Sequence, residues 1–358
     1  MTMMAGIPVV DMSPYRIDTV REDEVDMETL HSVGNSICAA FRDLGFCYIK
    51  NHGIQKSLID SMFATSKTFF EMPLEYKKKY RREPHVNSLY GWIPREAESL
   101  NPERPGDYKE AYNYTPWDGD EVLPDLDGFE ETMKNFRVSC ETLSLRILDL
   151  MSLGLDLEDK QFLRKCHAYF GQRGNSSVLK TIFYPALPQN TDIKPNQLRC
   201  GEHSDYGSLT LLFQDDAGGL EVRDLNGKYI PATPIPDTVL INIGDLMQRW
   251  TADRLTATKH RVVIPKEELR KMMNRQSIAF FIQPDDEVMI RSLDKSDKFE
   301  PIQSLQYLLD RLGLARKLRQ STAFFILPDE EAMIKCLDNS NKHDPVSSKD
   351  MTLSLVRT

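Results

Sequence analysis

Between Thr29 and Leu44, apolar side chains recur at Leu30, Val33, Ile37, Ala40, Phe41 and Leu44. This three-to-four-residue spacing predicts a helix with one buried face. Gly45 lies just past it as a stop signal, and Phe46-Cys47-Tyr48-Ile49 then reads as a strand. Upstream, Ile7-Pro8-Val9-Val10-Asp11 is a short β-prone run. Similar periodicity predicts a second helix from Ser57 to Phe70, ending before Met72-Pro73, and a third from Gly128 to Leu153. Residues 80–120, rich in Pro, Arg, Glu and Trp, keep no period and read as a long irregular connection of the kind that serves as a lid or binding segment.

From Val178 the pattern changes to short β-prone runs broken by turns: Val178–Tyr184, Ser208–Phe213, Gly219–Arg223, Lys228–Ala232, Thr238–Ile243, Arg261–Ile264 and Ser277–Ile282. Gly218-Gly219 and Asn226-Gly227 supply turn chemistry. Many short strands without alternating helices predict a mostly β protein, a sandwich or jelly roll with helices of the N-terminal half packed against it. The tail carries an internal repeat. The segment from Arg275 to Ser304 recurs from Arg319 to Ser348, with 18 of 30 positions identical. Two copies are too few for a solenoid and indicate a local duplication.

Composition narrows the class. The 358 residues are 41% hydrophobic and 28% charged, ordinary for a globular protein with a core. The formal net charge of −9 argues against a general nucleic-acid binder. No run approaches the roughly 18 apolar residues of a membrane helix, and MTMMAGIPVVDMSP lacks the features of a secretory signal. Six scattered cysteines without a CxxC pair fit a reducing compartment, so a cytoplasmic location is expected. No oligomeric state follows.

The sharpest chemical feature is Gly201-Glu202-His203-Ser204-Asp205, just before the run Leu209-Thr210-Leu211-Leu212. On an extended backbone, side chains at i and i+2 share a face, so His203 and Asp205 can converge. Imidazole nitrogen and carboxylate oxygen suit ferrous iron, and His260, opening another strand, is the candidate third ligand. Arg275 and Ser277 again share a face; a guanidinium fork and a hydroxyl could grip the far carboxylate of a dicarboxylic acid.

With these motifs in order, the chain resembles the isopenicillin N synthase-like group of non-haem iron, 2-oxoglutarate-dependent oxygenases over residues 6–316. The resemblance includes Ile7–Asp11, Gly45–Ile54, Gly91–Pro94, Asp107–Glu110 and Tyr184-Pro185. It continues through His203-Ser204-Asp205, Asn242–Asp245, His260–Val263 and Arg275-Gln276-Ser277. It implies a double-stranded β-helix (jelly-roll) core, with iron(II) bound by His203, Asp205 and His260. It further implies that 2-oxoglutarate is held by Arg275, Ser277 and Tyr184, that O2 is the oxidant, and that no catalytic side chain is needed beyond the metal ligands. The implied reaction hydroxylates or desaturates a small organic molecule with release of succinate and CO2. Expected divisions are 1–150 packing on the core, the core at 151–316, and a duplicated tail at 317–358. The chain departs from many relatives in carrying Ile182 where they have Asn, and Lys180 where Arg is common.

Two alternatives stand beside this reading: an iron-dependent oxidase or oxidative cyclase that does not use 2-oxoglutarate, and a non-catalytic jelly-roll binding module. The duplicated Arg319-Gln320-Ser321 has no second His-x-Asp to serve, so Arg275 is the expected anchor. Asn242 and Asp245 are expected to shape a turn, His52 to satisfy loop backbone groups, and Arg249 and Arg261 to form structural ion pairs. Trp92, Tyr112 and Trp117 fit either substrate stacking or core filling. Arg21–Glu24 and Lys77-Lys78-Lys79 are expected on solvated faces.

Overall fold

In a computed structural model, the described residues are 6–82, 90–98, 105–115, 122–188, 191–265, 272–313, 333–334 and 346–347. Trp117, the Arg319–Ser321 motif and residues 266–271 of the turn between His260 and Arg275 lie outside them.

The N-terminal elements are β1 (Val9–Asp11), α1 (Met27–Asp43), β2 (Phe46–Lys50), α2 (Lys56–Glu71), α3 (Leu74–Lys78), β3 (Gly91–Ile93), β4 (Glu110–Tyr114), α4 (Phe129–Gly154) and α5 (Phe162–Lys165). The β-rich part follows as β5 (Val178–Tyr184), β6 (Cys200–His203), β7 (Leu209–Gln214), β8 (Leu220–Arg223), β9 (Tyr229–Pro231) and β10 (Thr238–Ile243). It closes with α6 (Asp245–Trp250), β11 (His260–Val262), β12 (Arg275–Ile282), β13 (Met289–Ile290), β14 (Ile302–Gln303) and α7 (Ser304–Arg311). Every helix and strand predicted from periodicity is present, with ends shifted by a residue or two. Asp26 caps α1 by accepting the Thr29 N–H, and Gly45, at φ +77°, makes the turn into β2 that a Cβ would block against the Thr256 carbonyl.

Eight strands form one sheet in the order β1-β2-β10-β7-β12-β5-β4-β3, and four form a second in the order β6-β11-β8-β9. Alternation along the strands sends side chains to two different cores. On β12, Ile278, Phe280 and Ile282 join the core that includes the buried faces of α1, α2 and α4, whereas Ala279 joins Tyr184, Cys200 and Val262 in a smaller inner core. The inner core draws on strands of both sheets, which is the jelly-roll arrangement; helices back the large sheet.

Three expectations need correction. Residues 80–120 are not irregular throughout: β3 and β4 extend the large sheet, with Trp92 opposite Tyr112. Both aromatics are buried, so they fill core. Lys77 is 6% exposed rather than solvated; its Nζ meets Glu110 Oε2 at 2.6 Å and the Phe70 carbonyl at 3.0 Å. Trp92 Nε1 donates to the same carboxylate at 2.9 Å, so the ammonium serves a buried acid. Among the described residues Arg249 bonds the Glu300 carbonyl rather than a carboxylate, while Arg261 pairs with Glu221 as expected.

Contacts divide the chain into Met1–Tyr307 and Leu308–Thr358. In the second unit Met333–Ile334 pairs antiparallel with Val346–Ser347. Met333 faces Ser347 as Met289 faces Gln303, and Ile334 faces Val346 as Ile290 faces Ile302. The repeated sequence therefore repeats a strand pairing in the same register.

Candidate metal and cosubstrate site

His203 ends β6, His260 begins the adjacent β11, and the two are direct cross-strand partners. Val262 pairs with Cys200, so two residue steps on β11 face three on β6. This bulge turns both Cys200 and His203 toward the inner core. Asp205 lies past the end of β6 on the way to β7, in the other sheet. The His-x-Asp geometry thus arises at a crossing between sheets rather than along one extended strand.

His203 Nε2 lies 3.5 Å and His260 Nε2 3.7 Å from Asp205 Oδ1, and the three ligand atoms all fall within 4.8 Å of one another. Each opposite polar atom is already engaged. His203 Nδ1 lies 2.8 Å from the Gly201 carbonyl and His260 Nδ1 3.1 Å from that of Thr258, contacts in which Nδ1–H donates and Nε2 is turned toward Asp205. Asp205 Oδ2 accepts from Thr210 Oγ1 at 2.6 Å and Asn242 Nδ2 at 2.7 Å, leaving Oδ1 toward the imidazoles. Asn242 therefore orients a site residue, beyond the turn-shaping expected of it. Burial, and then the neighbouring His203, push His260 down to about 4, which keeps its nitrogen available as a donor. Burial alone would raise the Asp205 carboxyl, but His260, His203 and Asn242 outweigh it and hold it below the usual range. Two imidazoles and an anionic oxygen on one side suit a divalent iron with positions left open.

Arg275 opens β12 directly opposite Tyr184 on β5, and its guanidinium carbon lies 4.6 Å from that ring's centre. Its Nε donates to the Gly218 carbonyl at 2.7 Å, Nη1 to Ser277 Oγ at 3.3 Å and Nη2 to Gln214 Oε1 at 3.1 Å. One N–H remains on each terminal nitrogen, a fork shaped for a carboxylate. Arg275, Ser277 and Ala279 alternate on the inner face of β12, so this group and the three-ligand group line the same inter-sheet space. Nearby, Lys109 Nζ contacts Asp107 at 2.6 Å, Glu98 at 3.4 Å and Cys200 Sγ at 3.5 Å, and Lys180 pairs with Glu98 at 2.8 Å. Sequence reasoning passes over this ion network, although Asp107–Glu110 is among the motifs that carry the resemblance. His52 behaves as expected, accepting the Ile54 N–H at Nδ1.

Residues 7–132 match the family described as non-haem dioxygenase in morphine synthesis N-terminal, and residues 175–284 match the 2OG-Fe(II) oxygenase superfamily. A proline hydroxylase from Petromyces alliaceus is 37% identical over 270 residues, 71% of this chain and 82% of that protein. A 2-oxoglutarate-dependent dioxygenase from Aspergillus rugulosus is 32% identical, covering 80% and 90% respectively. The crystal structure of a full-length Neurospora crassa protein in complex with alpha-KG superposes with a TM-score of 0.74 at 33% identity, covering 86% of this chain and 96% of that one. The chain belongs to the 2OG-Fe(II) oxygenase superfamily. It is an iron(II)- and 2-oxoglutarate-dependent dioxygenase that oxidises a small molecule with O2. No helix among the described residues is long and apolar enough to cross a membrane.

Proposed function

We propose that His203, Asp205 and His260 hold the iron(II), and that Arg275, Ser277 and Tyr184 receive the distal carboxylate of 2-oxoglutarate. The observation that carries the assignment is the convergence of two imidazole Nε2 atoms on one Asp205 oxygen, with every opposite polar atom hydrogen-bonded away. Bound iron(II) with 2-oxoglutarate and O2 supplies oxidative decarboxylation to succinate and CO2 and oxidation of a substrate C–H bond. The chain's own part is positional. The carbonyls of Gly201 and Thr258 fix the imidazole tautomers, Thr210 and Asn242 aim the carboxylate, and Arg275 sets how far the cosubstrate reaches. Arg275 and Ser277 favour this reading over an oxidase that dispenses with 2-oxoglutarate.

The prime substrate is a small organic molecule that is hydroxylated or desaturated. One relative is a proline hydroxylase, and the similar Neurospora crassa protein has been crystallised with alpha-KG and thymine; both support compact ring substrates. The net charge of −9 supports a role without nucleic acid, the absence of an apolar spanning helix among the described residues fits one without a membrane anchor, and the free cysteines support a cytoplasmic setting. Residues 151–316 are taken as the catalytic core, 1–150 as the part packed on it, and 317–358 as a spare copy of 275–304.

Purified protein with ferrous iron and 2-oxoglutarate under nitrogen should develop a metal-to-oxoacid absorption band. In air, a metabolite extract should stimulate succinate release together with a mass shift in one extract component. His203→Ala and Asp205→Ala should abolish both signals. Turnover that persists without 2-oxoglutarate would replace this reading with the oxidase one.

A further inference from the structure

Arg199, one residue before β6, is 1% exposed and ranks among the largest fully buried side chains. Its contacts are meagre for a buried guanidinium. Nη2 reaches the carbonyls of Pro185 and Met273 at 3.4 and 3.3 Å, and Nε has no hydrogen-bond partner. Among the described residues no carboxylate lies within 4 Å of it. The ionisable groups that act on it include Arg275, Tyr184, Asp215 and Tyr108. Asp215 is engaged elsewhere, accepting the backbone N–H groups of Gln276 and Ala217. Pro185 and Met273 flank the Tyr184–Arg275 pair, so Arg199 sits at the same end of the inter-sheet space as the carboxylate fork.

Two buried guanidiniums side by side repel, and desolvation of each costs several kcal/mol unless an anion completes the set. Burial, and then Arg275, push Arg199 down to about 10, so it still carries its charge at neutral pH. Tyrosine hydroxyls are neutral there and cannot balance it. Asp215 is one anion against two guanidiniums, so among the described residues one positive charge is left for a ligand to balance. Resting on the assignment of Arg275, Ser277 and Tyr184 to the cosubstrate, we propose that Arg199 is a second cationic anchor for the distal carboxylate of 2-oxoglutarate. Arg275 grips that carboxylate with its two remaining N–H groups, while Arg199 faces the same group from the β6 side and makes the pocket select dianionic over monoanionic oxoacids.

The test compares 2-oxoglutarate with 2-oxobutyrate, which keeps the chelating end and lacks the distal carboxylate. Iron(II)-loaded enzyme is titrated anaerobically with each acid, read by the metal-to-oxoacid band, and thermal melts are taken without any acid. Arg199→Met keeps the bulk without the charge, and removal of an unbalanced buried charge should let it melt at or above the parent. Its half-saturation by 2-oxoglutarate should rise about tenfold or more, with that of 2-oxobutyrate unchanged. Arg199→Lys should restore most of the preference. If Arg199→Met fails to fold, melts well below the parent, or weakens both acids equally, Arg199 is a structural residue and the proposal is overturned. Arg275→Met tests the underlying assignment separately: full retention of the preference for 2-oxoglutarate in that variant would overturn the anchor itself.

Discussion

Asp205 shows how much of the site is made by neighbours outside the three proposed iron ligands. Its Oδ2 is held by Thr210 and Asn242, which leaves Oδ1 as the only oxygen facing His203 and His260. Asn242→Ala removes one of these bonds without touching a ligand atom, so iron(II) affinity should fall about ten- to a hundredfold, as for other outer partners of metal ligands. Anaerobic iron titration with an unchanged circular dichroism spectrum would check this, and undiminished affinity would show that Thr210 alone suffices. At the other end of the site, Arg275→Ala should raise the 2-oxoglutarate concentration needed for half-maximal succinate formation by about tenfold or more, with iron binding left largely intact. Cosubstrate dependence unchanged in this variant would move the anchor to another cation.

At the scale of elements, the helical layer rests on a close crossing of α1 and α4. A Cβ placed on Gly34 would run into the Leu150 carbonyl oxygen, and one on Gly154 into the backbone of Gly34. Gly34→Ala should therefore cost about 1–3 kcal/mol through overpacking, seen as a lower melting temperature. An unaltered melt would mean that the helices separate freely. This crossing also marks the reach of sequence reasoning. The 3.6 period predicts α1 and α4 because their apolar faces are long, and the β5, β7, β10 and β12 runs stand out because two cores demand apolar residues on both faces. β3, β4 and β6 escape it because they are only three to five residues long, and the inner positions of β4, Ala111 and Asn113, are small or polar. The convergence of His203, Asp205 and His260 is legible from residue type and order. The bulge at Cys200–His203, the buried Lys77–Glu110 pair and the setting of Arg199 are not, since each involves at least one partner more than 30 positions away.

For the whole molecule, the outstanding question is what the second copy of 275–304 contributes. The superfamily match ends at residue 284, and contacts divide the chain after Tyr307, so the barrel, both imidazoles and the Arg275 fork lie within the first unit. The β13–β14 pairing of the first copy is reproduced in register at 333–334 and 346–347. It repeats Arg-Gln-Ser without any second His-x-Asp, so a carboxylate gripped there would have no iron at its other end. In the first copy, β12 is hydrogen-bonded on both sides, to β5 and β7, and its place in the sheet is filled. Truncation after Leu318 should accordingly leave 2-oxoglutarate turnover, iron affinity and the melting temperature of the first unit close to those of the full chain. A truncated protein that unfolds, or that loses succinate formation with iron bound, would show instead that the repeated strand supports the barrel it copies.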